Sequence, residues 1–385
     1  MSDSYDVAVV GAGIMGASTA LFLARGGMRV ALIDRAGICR EASGVNAGTL
    51  TMNMTRAALI PYALQGWQMW TRCADWLGTD PGVTATDGLS LAFTEAEIEL
   101  LEQRAAARRE MGAEINLLSG QQARAIEPGL CEQVRLAAHC PIDGHVTANF
   151  TGLAYRQALL KAGVTLYEEC AVNMIDSHAA AFTVRSDTAS IHARRLVLAG
   201  GVWLEQMFAW LGLSIPIKTL ANQLIVTERL RPVMRTVLSI ANGLLSLKQF
   251  ANGTVLIGGG WQGKADRMTH ETAIIPDNVI GNTRLARYVV PALAETRIVR
   301  TWVGFEAETA DAMPVIGPVP EHTNAFVIGS VHSGYTSGPY MGKLLAQYIL
   351  GQEPELPLFD PQRLLTSINL DVNPLTAENS KVTPA

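Results

Sequence analysis

Three observations predict an α/β chain with two sheets of different character. A buried strand, glycine turn, helix, second strand and acid fill the first 35 residues. Continuous apolar runs return near residues 196 and 326, and between 216 and 260 the pattern changes to short alternating runs with turn punctuation. The first two predict a Rossmann-like nucleotide-binding domain built from separated segments. The third predicts an antiparallel-sheet α+β domain beside it.

Residues 5–10 (YDVAVV) read as a fully buried strand, and GAGIMG follows at once. Gly11 permits the tight turn, Gly13 admits a pyrophosphate to the backbone, and Gly16 lets helix and strand pack closely. Ala12, Ile14 and Met15 complete that cradle, where the helix N-terminus offers N–H groups to phosphates. Residues 28–33 (MRVALI) form the second strand, and Asp34, beside Arg35, is spaced to accept both hydroxyls of an adenosine ribose. The small-residue segment 41–48 (EASGVNAG) suits a second approach to a large cofactor or an ordinary connection.

Further along, residues 57–77 read as a helix with an apolar face. Residues 95–111 (EAEIELLEQRAAARREM) read as a charged helix, stopped by Gly112, with a solvated or subunit-facing role. A short helix is expected over 121–126, a turn at 141–144 (PIDG) and a helix over 145–162, with His145 structural. Strand material follows over 164–175, then a hairpin from 182–184 and 189–192. Residues 196–201 (LVLAGG) return a buried strand to the first sheet. Strands over 223–227, 244–248, 254–258 and 297–305, a helix over 275–290, a strand at 326–329 and a final helix over 340–350 complete the chain. The expected division is 1–80, 145–215 and 305–365 for the nucleotide domain, 81–144 and 216–304 for the substrate domain, and a 366–385 tail.

The 385 residues are 49% hydrophobic and 17% charged, with a formal net charge of −5. Without a basic run, nucleic acid is excluded as an expected partner. No apolar run reaches the roughly 20 residues of a membrane helix. Five scattered cysteines without a C-x-x-C point to a reducing, cytoplasmic setting and to neither a metal nor an iron–sulfur site.

Taken together, GAGIMG, Asp34, SGVNAG at 43–48, LAGG at 198–201, the glycines at 258–259, WVGFEAETADAMPVIG at 302–317 and HSGYTSG at 332–338 resemble one family over nearly the full length. It is the FAD-dependent D-amino-acid oxidase, glycine oxidase and sarcosine oxidase group. The pattern is most similar to β subunits of heteromeric dehydrogenases, such as opine oxidases, D-hydroxyproline and proline dehydrogenases, and hydrogen cyanide synthase. The resemblance implies noncovalent FAD, with Ser43, Gly44, Asn46, Ala47 and Gly48 approaching its pyrophosphate and isoalloxazine. Val172 would meet the adenine, Ala199 and Gly200 would flank the cradle, and Ser333, Gly334, Tyr335, Thr336 and Ser337 would face the flavin ring. Where related β subunits attach a second flavin through histidine, this chain has Ile142, which leaves a noncovalent FMN at a subunit interface open.

The implied reaction removes hydride from a C–H beside an amine nitrogen, and it requires no dedicated acid or base. Simple amino-acid oxidases carry W-x-G-x-R-P, whose arginine clamps the substrate carboxylate; here that position is Glu306. A carboxylate there fits a guanidinium-bearing amine, such as an octopine- or nopaline-type opine, or else pairs internally with Arg300. Lys248, Lys264, Arg267 and His270 are candidate receivers of substrate carboxylates, with Gln249 reading a polar group. Three readings follow: a catalytic β subunit passing electrons to an FMN-, FAD- or iron–sulfur-bearing partner, a self-contained glycine- or sarcosine-type oxidase, and a flavin-bound scaffold. D-hydroxyproline, proline and glycine are the alternative substrates.

Overall fold

The computed structural model describes residues 4–178, 181–330 and 334–367. Ser4–Val10 runs through the middle of an eight-stranded sheet, with Val30–Ile33 and Ser190–Leu198 as parallel neighbours. Thr165–Tyr167 continues the sheet beyond Val30–Ile33, and Ala325–Gly329 continues it beyond Ser190–Leu198, both parallel. Val315–Pro318 closes one edge antiparallel. The hairpin Val172–His178 and Ala181–Ser186 adds to the early half of Ser190–Leu198.

Alternation along the central strands explains why they read as unbroken apolar runs. Val7, Val9, Val30 and Leu32 pack into one core with helices Ile14–Arg25, Ala148–Lys161 and Gly338–Ile349. Ala8, Val10, Ala31 and Ile33 point the other way, onto Phe182, Val184, Leu204 and Phe208. A parallel sheet covered on both faces needs apolar residues at every position.

The second sheet has nine strands. Its main path runs Ile298–Thr309, Ile217–Arg229, Thr254–Gly258, Ser246–Gln249, Val237–Ile240, Thr84–Ala92 and Leu136–His145. Thr49–Leu50 and Asn116–Ser119 both pair with Leu136–His145. Val237–Ile240 runs parallel to Thr84–Ala92, and the other pairings are antiparallel.

Local reading and structure part at several places, three of them instructive. The expected turn at 141–144 is strand: Leu136–His145 continues through it, with its register against Thr84–Ala92 shifting between Thr86 and Gly88. An extra residue at a bulge tolerates the missing N–H of Pro141, so a proline–glycine signal there bends a strand without ending it. The helix expected over 145–162 accordingly begins later, as Ala148–Lys161. The helix expected over 57–77 divides at Arg72 into Ile60–Thr71 and Cys73–Leu77. By contrast, the charged helix forms as Glu95–Glu110, because Thr94 and Glu97 make a reciprocal capping box and Gly112 leaves it at φ +97°.

All five cysteines are buried and free. Among the described residues, no helix is long and apolar enough to cross a membrane, and no cluster of three or more His, Cys, Asp or Glu is placed to hold a metal.

Candidate active site

A cavity of 1030 Å³ is lined by residues of both sheets. At its nucleotide end, Gly11 has φ +106°, and a Cβ there would lie 2.3 Å from the carbonyl oxygen of Ala199. Only glycine lets the first strand meet the Ala199–Gly200 corner this closely. Gly13 differs: a Cβ would meet only Ser43 Oγ, at 3.4 Å, so this glycine keeps the cradle open. Gly13, Ile14, Met15 and Gly16 line the cavity at the start of the helix Ile14–Arg25. The Ile14 N–H donates to Ser43 Oγ at 2.9 Å, which ties the second loop to the helix N-terminus.

Asp34 also lines the cavity, and its carboxylate organises the backbone around it. Oδ2 accepts from the Ala12 N–H at 2.7 Å, and Oδ1 accepts from Ala36 and Gly37 at 2.8 and 2.9 Å. A carboxylate has about four acceptor directions, so capacity for ribose hydroxyls remains. Arg35 lies over the Trp203 ring, 3.4 Å from its centroid, and pairs with Glu41 at 2.9 Å. Val172, Ala199 and Gly200 line the same end.

In the second loop, Ala42–Val45 is a short helix, and Ser43, Asn46 and Ala47 line the cavity. Asn46 bonds back to the carbonyls of Ala42 and Ser43 and accepts from Gly48, so Asn46 and Gly48 hold the loop's own shape. Gly44 fits against Cys39, where a Cβ would lie 2.1 Å from its carbonyl oxygen. Gly334 and Tyr335 also line the cavity, whereas Thr336 and Ser337 are buried beside it. Thr336 Oγ1 accepts from Thr51 N, and Ser337 leads into Gly338–Ile349 without a side-chain cap. Ser333 lies outside the described residues.

The cradle tests well against a dinucleotide. It is open at Gly13, its helix end has no side-chain cap from its own N-cap residue, and an acid stands at the end of the second strand. These features together suit a pyrophosphate and ribose.

At the substrate end, Glu306 lines the cavity from Ile298–Thr309. Asn222 Nδ2 donates to Glu306 Oε2, while Asn222 Oδ1 accepts from Gln262 at 2.8 Å, which fixes the amide with its donor toward the carboxylate. The alternative pairing with Arg300 is not made. Six residues along one strand separate the two by about 20 Å at roughly 3.3 Å per residue, and Arg300 lies against the Trp302 ring.

Lys248 is 1% exposed and reaches the cavity wall through a hydrogen bond to Thr49. Burial pulls its ammonium pKa from 10.5 down to about 7. Burial, followed by the nearby Lys248 charge, likewise lowers neighbouring His145 to about 4. Lys248 is ionised in both the folded and unfolded states below pH 7 and neutral in both above 10.5, so its burial penalty grows as pH falls between those values. Lys248→Met is therefore expected to be more stable than wild type, by several kcal/mol at most. The difference should widen from about pH 10 to pH 7 and then level off. Parallel melting-temperature profiles for the two proteins would overturn this.

Two candidates lie elsewhere than expected. Gln249 projects to the opposite face from Lys248, and its amide is taken up by Val233, Met234, Arg231 and Gly253. It closes a loop and does not line the cavity. His270 stands at the nucleotide end, stacked on Trp203 and bonded to Arg35 at 3.0 Å. Arg267 is occupied by Glu205 and by the carbonyls of Val202 and Ile217, and Lys264 is exposed.

The structure also brings in residues that sequence reasoning missed. Leu101, Arg104, Ala107 and Arg108, on one face of Glu95–Glu110, line the cavity, so this helix is not wholly a solvated or subunit-facing surface. Ser90, Ser239 and Ser246 are register partners on three neighbouring strands, and all three line the same wall. The i, i+3, i+7 spacing of 101, 104 and 108 was the available signal, but the dense charge of the segment masked it.

Comparison with known proteins places the chain in a family. A family model described as FAD dependent oxidoreductase matches residues 6–348. The glycine oxidase of Geobacillus kaustophilus is 28% identical over 93% of this chain and 96% of its own. One of the opine oxidase subunits of Agrobacterium tumefaciens is 27% identical over 93% and 97%. The crystal structure of the Geobacillus kaustophilus glycine oxidase superposes with a TM-score of 0.83 at 26% identity, covering 92% of this chain and 96% of that one. With its glycine cradle, second-strand acid and a family match over residues 6–348, the chain belongs to the FAD dependent oxidoreductase family of D-amino-acid oxidase type and is an FAD-dependent oxidoreductase acting on amines.

Proposed function

We propose that the protein oxidises the C–N bond of an amino-acid-derived secondary amine with a cationic side chain, of the arginine-derived opine type. The observation that carries this reading is Glu306: a carboxylate in the cavity, with Asn222 and Gln262 holding a donor toward it. A guanidinium complements such a carboxylate, and a lone substrate carboxylate does not. The similarity to the opine oxidase chain of Agrobacterium tumefaciens supports the same class.

In this reading Gly13 and the Ile14–Arg25 N-terminus take the FAD pyrophosphate, Asp34 takes the ribose, and the Ser43–Ala47 side of the second loop approaches the ring system. When bound, FAD supplies the two-electron acceptor. The substrate C–H loses a hydride and its nitrogen a proton; water then adds across the C=N bond, giving an amino acid and a 2-oxo acid. Glu306 orients the substrate by its guanidinium, and the serine wall offers hydroxyls to its polar backbone. No residue of the chain need act as an obligatory base.

The kinship with one component of an opine oxidase favours a heteromeric dehydrogenase, with electrons leaving through a partner that carries a second flavin, such as FMN, or an iron–sulfur cluster. The glycine oxidase likeness favours a self-contained oxidase. Oxygen consumption by the purified chain separates them.

The primary test is anaerobic. The flavin-loaded protein is mixed with octopine, nopaline, D-hydroxyproline, proline, sarcosine and glycine while the flavin band is followed. Bleaching by the arginine-derived opines is the expected result. Bleaching by glycine, sarcosine or a proline instead would overturn the substrate class and keep the chemistry. An unbleached flavin with every amine would overturn independent catalysis and favour the scaffold reading.

A further inference from the structure

Arg108 is 7% exposed, yet its only hydrogen bond among the described residues runs from Nε to the carbonyl of Thr55, at 2.8 Å. The rest of its guanidinium, with four further N–H groups, has no protein acceptor there. Arg104, one turn earlier on the same face, donates to the carbonyl of Ala241 and is more exposed. Neither makes an ion pair among the described residues. Arg56, the other cation at this end of the cavity, is already paired with Glu308 at 3.4 Å.

Asp143 acts on this charge without forming an ion pair with it. Asp143 is 1% exposed and gives its oxygens to Thr51 Oγ1 and Met52 N, each at 2.7 Å. Burial raises its pKa to about 6; its hydrogen bonds and, after them, the Arg108 charge pull the other way without offsetting that burial. Burial, with Arg104 as the next contributor, lowers Arg108 to about 10. A neighbouring acceptor is also unmet, and it calls for a donor, not for an anion. Asn53 is 4% exposed and lines the same cavity; its Nδ2 is pinned by the carbonyls of Gly88 and Ala138, and its Oδ1 has no partner.

Two like charges one helical turn apart repel, and a buried guanidinium without a counter-ion carries a large desolvation penalty. An anion entering from the cavity relieves both. We propose that Arg104 and Arg108 form an anion subsite that takes a carboxylate of the substrate, with Arg108 as the buried anchor and Arg104 as the outer member. This rests on the amine-oxidising reading of the cavity and sharpens it. The substrate is a secondary amine with carboxylate at one pole, read by the arginines, and a cation at the other, read by Glu306. The Ser90, Ser239 and Ser246 hydroxyls serve the polar centre between them.

The test is calorimetric titration of the FAD-loaded protein with succinate and, in parallel, with its neutral analogue succinamide. Wild type should bind succinate and not succinamide. Arg108→Gln should weaken succinate about 10-fold or more, Arg104→Gln about 3-fold, and Arg108→Lys by an intermediate factor, since lysine keeps the charge but loses the fork. Glu306→Gln should leave succinate within about 2-fold or bind it more tightly. Should Arg108→Gln fail to fold, Arg104→Gln and Arg108→Lys carry the same comparison. Equal binding of succinate and succinamide would overturn the subsite. So would affinities within about 2-fold of wild type for arginine variants that retain FAD. Arginine-dependent succinate binding with no bleaching by opines would keep the subsite and remove the opine reading. Opine bleaching without arginine dependence would do the reverse.

Discussion

Asp34→Ala is expected to raise the FAD dissociation constant about 100-fold and to lower the melting temperature of the flavin-free protein by several degrees. The reason is double. Deleting the carboxylate removes a ribose acceptor and also strands the N–H groups of Ala12, Ala36 and Gly37, which it now receives. Each stranded, partly buried donor costs about 1 kcal/mol or more. Asp34→Asn keeps one carbonyl acceptor and should fall between the two. Flavin fluorescence during titration of the flavin-free protein gives the affinity. Full flavin retention by Asp34→Ala through desalting would remove Asp34 from the site.

Glu306→Arg should lower kcat/KM for a guanidinium-bearing amine by about 1000-fold while leaving FAD retention intact. The substitution exchanges attraction for repulsion in a partly buried position and turns the Asn222 donor toward a second donor. Glu306→Gln removes charge but keeps an acceptor, so a loss of about 10-fold is expected. Activity of Glu306→Arg toward a small neutral amino acid should fall far less. Equal losses on cationic and neutral substrates would show that Glu306 supports the cavity wall and does not read the guanidinium.

The nucleotide end was legible because its motif encodes backbone geometry. Gly11 and Gly16 answer to close approaches that no other residue permits, and the contact of Gly16 with the Gly11 carbonyl is local in sequence. Asp34 was legible in position and only half legible in role, since beside its neighbours Ala36 and Gly37 it also receives Ala12, which meets it only in space. The substrate end was less legible. His270 and Lys248 both sit in the second-sheet half of the chain, but only the fold shows that one turns to Trp203 and the other to Thr49. Gln249 follows Lys248 directly, and strand alternation sends it to the other face. Arg104 and Arg108 were hidden for a different reason. In a segment so dense in charge, periodicity does not distinguish the arginines that face a cavity from those that face water.

The order of strands in the nucleotide sheet bears on when the protein can fold. Ser4–Val10 is synthesised long before its partner Ser190–Leu198 and that strand's neighbour Ala325–Gly329. Helix Gly338–Ile349, which covers Ile14–Arg25, comes later still. At roughly 5–20 residues per second, the glycine cradle waits on the ribosome for tens of seconds before its sheet is complete. Loop closures this long are slow, and the nascent Val7–Val10 edge stays open to wrong partners meanwhile. A chain released before Ala325 would therefore lack a sheet edge and a covering helix, however complete its cofactor motif.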